Sequence, residues 1–167
     1  MGKRIAVVGV GAVGGYTAAH MVEAGEDVTL IDMWPAYVEQ MKQDGLRITH
    51  HEGPDPFTVK VRALHVTEAQ HLSKEAPIDI AFVCTKSYDT AWAAPLIKQY
   101  LAPGGYVVSL QNCMNEETIA GIVGRGKTRE QVGIAARANE RLVDIVKCVE
   151  RGELKQDPRH ITELRLN

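Results

Sequence analysis

The chain has 167 residues, room for one domain or slightly more, whereas most two-domain dehydrogenases need roughly twice that length. Its 19 Lys and Arg against 21 Asp and Glu give a net charge of −2 with no basic block, which argues against a nucleic-acid or anionic-membrane partner. Hydrophobic residues make up 45% of the chain, enough for a sizeable core, and no apolar run approaches the roughly 20 residues of a membrane-spanning helix.

In chain order, Ile5-Ala6-Val7-Val8 is a continuous apolar run rich in β-branched residues, the pattern of a strand buried on both faces of a parallel sheet. Glycines follow at once, then a helix over residues 12–24 ending at Gly25, then a second short strand over 28–31. Strand, glycine turn, helix and strand within about 30 residues form a βαβ unit, whose right-handed crossover makes the two strands parallel. Pro35 opens a further helix with Tyr37, Val38 and Met41 as its apolar stripe and Gly45 as its stop. Residues 46–65 alternate in pieces around Glu52-Gly53-Pro54-Asp55-Pro56, and predict an antiparallel excursion with arms near 46–49 and 57–61. Another buried strand is expected over 78–84 and a helix over 88–101, which Pro95 should kink or split. Pro103-Gly104-Gly105 predicts a turn, 106–110 a strand and 116–123 a short helix. The alternation of strands and helices predicts an α/β, Rossmann-type, mostly parallel doubly wound sheet.

Beyond Gly124 a cluster of glycine and charge suggests a linker. Asn139 can then cap a helix whose Leu142, Ile145, Val146 and Val149 fall on one face, with Gly152 as its stop. The expected division is a dinucleotide-binding domain over 1–124, a junction over 125–136, and a C-terminal helix and tail over 137–167. Such a helix must bury its stripe on the sheet domain or on another subunit, so a homo-oligomer formed through it is one expectation.

Gly9-Val10-Gly11-Ala12-Val13-Gly14 matches G-x-G-x-x-G in its full context. It follows a buried strand, opens a helix, and is answered by Asp32, 18 residues beyond Gly14. Gly9 permits the tight turn, Gly11 lets backbone approach a pyrophosphate, and Gly14 lets helix and strand pack closely. The helix N-terminus then holds the phosphates. Asp32 can accept hydrogen bonds from the ribose hydroxyls of NAD and would repel a 2′-phosphate, and Met33 brings no positive charge to offset that. NAD is therefore favoured over NADP, with Arg47 and Lys42 left as cations that could swing in. FAD ranks lower because a flavin usually needs a larger protein around it.

Three segments together carry a family pattern: residues 3–32 around the glycine turn, then Cys84-Thr85-Lys86-Ser87-Tyr88-Asp89-Thr90, then Ser109-Leu110-Gln111-Asn112. In order and spacing they resemble the ketopantoate reductase (2-dehydropantoate 2-reductase) family over residues 3–124. The resemblance implies an NAD(P)-dependent oxidoreductase of pantothenate biosynthesis that reduces a branched 2-keto acid, a small-molecule substrate, to a 2-hydroxy acid. It implies that Thr85, Lys86 and Asn112 lie at the cofactor, and that Lys86 and Asn112 also meet the substrate. Two departures stand out: Met33 where NADP-using members commonly carry Arg, and Cys113 where Gly normally follows the Gln-Asn pair. Members also have an all-helical second domain that supplies a general-acid Lys and a substrate-binding Glu, and neither motif is found here. Residues 133–142, running into 150–155, resemble the last helix of that domain, with Arg137 where members often have Pro. The chain thus looks like the cofactor domain joined to one helix of the substrate domain. It is expected either to be an impaired reductase, to bind NAD without catalysis, or to be completed by a partner chain.

Other clusters predict little chemistry. His50-His51 would point to opposite faces of a strand and lack a third ligand, so no metal site is expected. Cys84, Cys113 and Cys148, an odd number without C-x-x-C spacing, fit neither a disulfide framework nor a zinc ribbon. The segment Met1-Gly2-Lys3-Arg4 leads into a strand and not into a signal-peptide core, so a cytoplasmic location is expected.

Overall fold

The computed structural model of the chain describes residues 2–49, 55–112 and 114–128. Strand β1 (Arg4–Val8) leads through the glycine turn into α1 (Ala12–Glu23), β2 (Asp27–Asp32) and α2 (Pro35–Asp44). β3 (Leu46–Ile48) and β4 (Phe57–Val59) pair antiparallel, the short excursion that the alternating pattern predicts. The chain then runs through β5 (Arg62–His65), a 3-10 segment (Val66–Lys74) and β6 (Ile78–Val83). A second 3-10 turn (Ser87–Asp89) precedes α3 (Thr90–Lys98), β7 (Leu101–Ser109) and α4 (Glu116–Val123).

The main sheet has the order β5-β2-β1-β6-β7 and every pairing in it is parallel. Successive side chains of a strand point to opposite faces, and β1 divides accordingly. Ile5 and Val7 join Ala18, Ala19, Leu30, Val38 and Met41 in one core. Ala6 and Val8 join Ala81, Val83, Ala93, Ile97 and Ile119 in the other. From β1 the chain moves outward on one side to β2 and β5, and from β6 outward on the other side to β7. The topological switch point therefore lies between β1 and β6, where open α/β sheets bind ligands at their carboxyl ends.

Several expectations are corrected. β5 and the 3-10 segment after it are additional elements. The latter is capped by its own residues: the His65 N–H donates to Glu68 Oε2 at 2.8 Å, and the Thr67 N–H to His65 Nδ1 at 3.4 Å. Pro103-Gly104-Gly105 is not a turn between elements but a bulge within β7, because Ile78 pairs with Leu101 while Ile80 pairs with Tyr106. The helix around Pro95 starts at Thr90 and runs through the proline as one element. Ala91, whose carbonyl loses its partner to Pro95, is exposed, so water can satisfy it. On α2, Val38 and Met41 are buried but Tyr37 is 36% exposed, one position off the buried stripe. One compact unit runs to Thr128, whose side chain is buried and whose hydroxyl donates to the Gly124 carbonyl at 3.3 Å. The helix expected from Asn139, and any pairing through it, lies outside the described residues, as do His50, His51, Cys113 and Cys148.

At the amino edge of the sheet, Glu75 joins strands that are not neighbours. Arg62 at the start of β5 donates to it with one guanidinium nitrogen at 2.7 Å, and Arg4 at the start of β1 pairs with the same carboxylate. These hydrogen bonds, Arg62's foremost and then Arg4's, hold the Glu75 carboxyl down to about 2 from an ordinary 4.5. A depressed carboxylate stabilises the fold above its unfolded pKa, and that contribution is lost as pH falls toward the folded value. Thermal melts at descending pH are therefore expected to show wild type and Glu75→Gln converging between about 4.5 and about 2. A gap that stays constant through that window would contradict this assignment.

Candidate functional site

The glycine turn is built by close approach. β1 ends at Gly9, whose φ of +91° belongs to the left-handed region, and a Cβ there would lie 2.8 Å from both the Thr85 amide nitrogen and its Cγ2. The turn thereby packs against the end of β6. Gly14, one turn into α1, is tighter still: a Cβ would meet the Gly9 carbonyl oxygen at 2.0 Å and Cys84 Cβ at 2.9 Å. Gly11 is different, because a Cβ there would meet nothing within 4 Å. It is the N-cap of α1 and brings no side-chain cap, so the ground over the first helical turn is open.

Asp32 closes the turn from the side. It ends β2, is 8% exposed, and accepts the Val10 N–H through Oδ2 at 2.7 Å and the Trp34 N–H through Oδ1 at 3.0 Å. The carboxylate thus ties the glycine turn to the start of α2. Burial, and after it the Asp32 charge, push the Tyr37 phenol above its ordinary value. His65, opposite Asp32 in the β2–β5 register, makes a 3.1 Å contact through Nε2 to the Met33 carbonyl and steadies the same segment.

Across the switch point, the loop after β6 carries Thr85 and Lys86, and the loop after β7 carries Gln111 and Asn112. The Asn115 side chain donates to the Asn112 carbonyl at 2.8 Å and fixes that turn. The Lys86 side chain has no ion-pair partner among the described residues. Burial pushes the Cys84 thiol up to about 12, which keeps it in the thiol form at neutral pH.

One cleft of about 480 Å³ runs along this carboxyl edge. Gly9, Val10, Gly11, Ala12, Val13, Asp32, Thr85, Lys86 and Asn112 all line it. Gly14 does not; it lies beneath, in the contact between helix and strand. Met33, Trp34, Tyr37, Trp92 and Gln111 line it as well. The sequence assigns a site role to none of the last four; Gln111 stands inside the Ser109–Asn112 motif, and the others offer only nearness to Asp32 or to the start of a helix. Lys42, expected as a cation free to swing toward the ribose, is instead held by Glu39 at 2.8 Å and Glu68 at 2.9 Å. Arg47 lines a neighbouring cleft with Trp34 and Tyr37. Among the described residues no cluster of His, Cys, Asp and Glu could hold a metal, and no helix is long and apolar enough to cross a membrane.

A family model described as ketopantoate reductase PanE/ApbA matches residues 5–136. The 2-dehydropantoate 2-reductase of Pyrococcus abyssi is 31% identical over 140 residues, which is 78% of this chain and 43% of that protein. The chain thus spans less than half the length of this curated relative. A PanE/ApbA family ketopantoate reductase from Ralstonia eutropha JMP134 superposes with a TM-score of 0.63 at 31% identity, covering 72% of this chain and 38% of that one. D-mandelate dehydrogenase, solved in a ternary complex with NADH and anilino(oxo)acetate, shares the fold at a TM-score of 0.61 and 24% identity over 71% of this chain and 36% of that one.

Proposed function

The chain belongs to the ketopantoate reductase family, and on that premise we propose that its described domain is the NAD(H)-binding half of a 2-keto acid reductase. The observation that carries this reading is one cleft that joins the glycine turn and Asp32 to Lys86 and Asn112 across the switch point.

The residues present suit a dinucleotide. Gly11 leaves open space over the first turn of α1, where backbone N–H groups favour a diphosphate. Asp32 keeps acceptor capacity beyond its two backbone donors, enough to receive ribose hydroxyls. Its charge disfavours a 2′-phosphate, and Lys42 is committed to two glutamates, so in this reading NAD is preferred over NADP. Bound here, the nicotinamide supplies a hydride for a carbonyl carbon. The chain's own part is to orient and to manage charge. Lys86 holds the carboxylate of a branched 2-keto acid or gives a proton to the carbonyl oxygen, Thr85 contacts the cofactor, and Asn112 orients ribose and substrate.

Residues 1–128 form the dinucleotide domain in this proposal, with the boundary moved past Gly124 because Thr128 is buried within it. Residues 137–167 remain proposed as a remnant of a helical substrate domain, and a cytoplasmic location is retained as part of the reading. We propose that residues 1–167 by themselves bind NADH and turn over slowly, because the general-acid Lys and substrate-binding Glu that the family resemblance implies are not found among them, a partner chain being the alternative source of those groups. The test is NADH oxidation by the purified full chain with ketopantoate or another branched 2-keto acid. Rates below about 1 s⁻¹, under the usual range for enzymes, are expected. Sustained turnover within that range would overturn the claim that the site is incomplete.

A further inference from the structure

One polar side chain at the edge of the cleft makes more directed contacts than any role assigned above requires. Gln111 follows β7, and its Nε2 lies 3.1 Å from the Thr85 carbonyl, 3.1 Å from Thr85 Oγ1, 3.1 Å from the Lys86 carbonyl and 2.8 Å from Thr90 Oγ1. Two of those partners are backbone carbonyls, which only accept. The amide nitrogen must therefore face them, and the orientation of the amide is fixed by its surroundings. Thr90 is 2% exposed, so its hydroxyl must find partners within the protein. It donates to the Ser87 carbonyl at 2.8 Å and accepts one Gln111 N–H, leaving the second N–H to be shared among Thr85 and Lys86. The Gln111 backbone N–H reaches Ser109 Oγ at 3.4 Å.

We propose that Gln111 is a positioning residue that clamps the Thr85–Lys86 loop to the end of β7, and so holds Lys86 and Asn112 at the nicotinamide edge of the cleft. This rests on the dinucleotide reading for the identity of the ligand, whereas the clamp itself is a property of the free protein. Residues 84–89 join β6 to α3; their ends are held by the Cys84 N–H on the Val8 carbonyl at 2.8 Å and by the Trp92 indole N–H on Asp89 Oδ1 at 2.8 Å. Between them the Asp89 N–H reaches the Lys86 carbonyl at 2.9 Å and the Thr90 hydroxyl the Ser87 carbonyl, so that Gln111 is what ties Thr85 and Lys86 to β7. Glutamine suits the task in reach and in polarity. Asparagine is one methylene too short to span the two loops, and glutamate would set a carboxylate against the Thr85 and Lys86 carbonyl oxygens. The clamp lies at the β6–β7 end and Asp32 at the β2 end, so their effects on a dinucleotide are separable. Losing Gln111 weakens the hold on the nicotinamide half and spares the adenosine half.

The test compares wild type, Gln111→Ala and Gln111→Glu as full chains. Hydrogen exchange of the free proteins is expected to quicken at amides 85–90 in both variants by about five- to tenfold, the size of one or two lost hydrogen bonds, while β1 and β2 keep their protection. NADH affinity is expected to fall by about the same factor, with ADP affinity within about twofold of wild type. Unchanged protection at 85–90 in Gln111→Glu overturns the proposal. So does an equal loss of NADH and ADP affinity, the signature of a general structural effect. Wild type that binds neither nucleotide overturns the dinucleotide reading instead, and the exchange data then decide the clamp by themselves.

Discussion

Gly14→Ala is expected to destabilise the domain by about 3 kcal/mol and to abolish NADH binding. On helix propensity alone the change would be favourable by about 1 kcal/mol, since alanine is the better helix former. The clash decides the sign. A Cβ 2.0 Å from the Gly9 carbonyl oxygen cannot be relieved by a rotamer change, because the obstacle is backbone in a turn that itself packs on Thr85. α1 must move away from β1, and the N–H groups at its first turn move with it. Gly121 in α4 is the internal control: a Cβ there meets nothing within 4 Å, so Gly121→Ala should stabilise by roughly 0.5–1 kcal/mol. Denaturant unfolding of both variants checks the pair. Gly14→Ala folding as stably as wild type would show that the turn and helix do not pack as described.

Asp32→Ala is expected to act on stability and on cofactor choice together. It leaves the N–H of Val10, a residue that is 1% exposed, without its acceptor, a loss of about 1–3 kcal/mol for a buried donor. Trp34, 70% exposed, contributes less because water can replace the carboxylate there. NADH affinity should drop by more than about tenfold, since the hydroxyl acceptor is gone and the glycine turn loses its tie. NADPH should lose less than NADH, because the repulsion of its 2′-phosphate goes with the carboxylate. Paired titrations of the two cofactors read the ratio directly, and an unchanged ratio would remove Asp32 from the selection.

How much of this was legible in the sequence depends on how local each signal is. The first βαβ unit was readable because Ile5–Val8, the glycines and Asp32 follow one another with a spacing set by the fold's own geometry. In sequence Tyr37 reads as part of an apolar stripe because it neighbours Val38, but a helix turns about 100° per residue and the buried line runs through Val38 and Met41. β5 is not legible in the sequence because Arg62-Ala63-Leu64-His65 offers two buried residues and gains its identity only from pairing with β2. Pro103-Gly104-Gly105 reads as a turn in any short window, and only the parallel partner β6 makes it a bulge.

The same distinction holds at the site. The residue types lining the cleft were visible, yet the bond from Asp32 to the Val10 amide spans 22 positions, and the contacts from Gln111 to Thr85 span 26. Hydrogen bonds of that separation exist only once the sheet has brought its carboxyl ends together. Lys42 shows the same dependence on distant partners. Its charge made it a candidate for the ribose phosphate, but Glu39 on its own helix and Glu68 from the 3-10 segment had already engaged it.

The central claim is that this chain carries a dinucleotide site selective for NAD(H), and fluorescence titration of the purified full chain with NADH and NADPH tests it most directly. The account predicts saturable binding of NADH, one molecule per chain, with NADPH weaker by at least about tenfold. Absence of saturable binding by either cofactor, or tighter binding of NADPH, would contradict it.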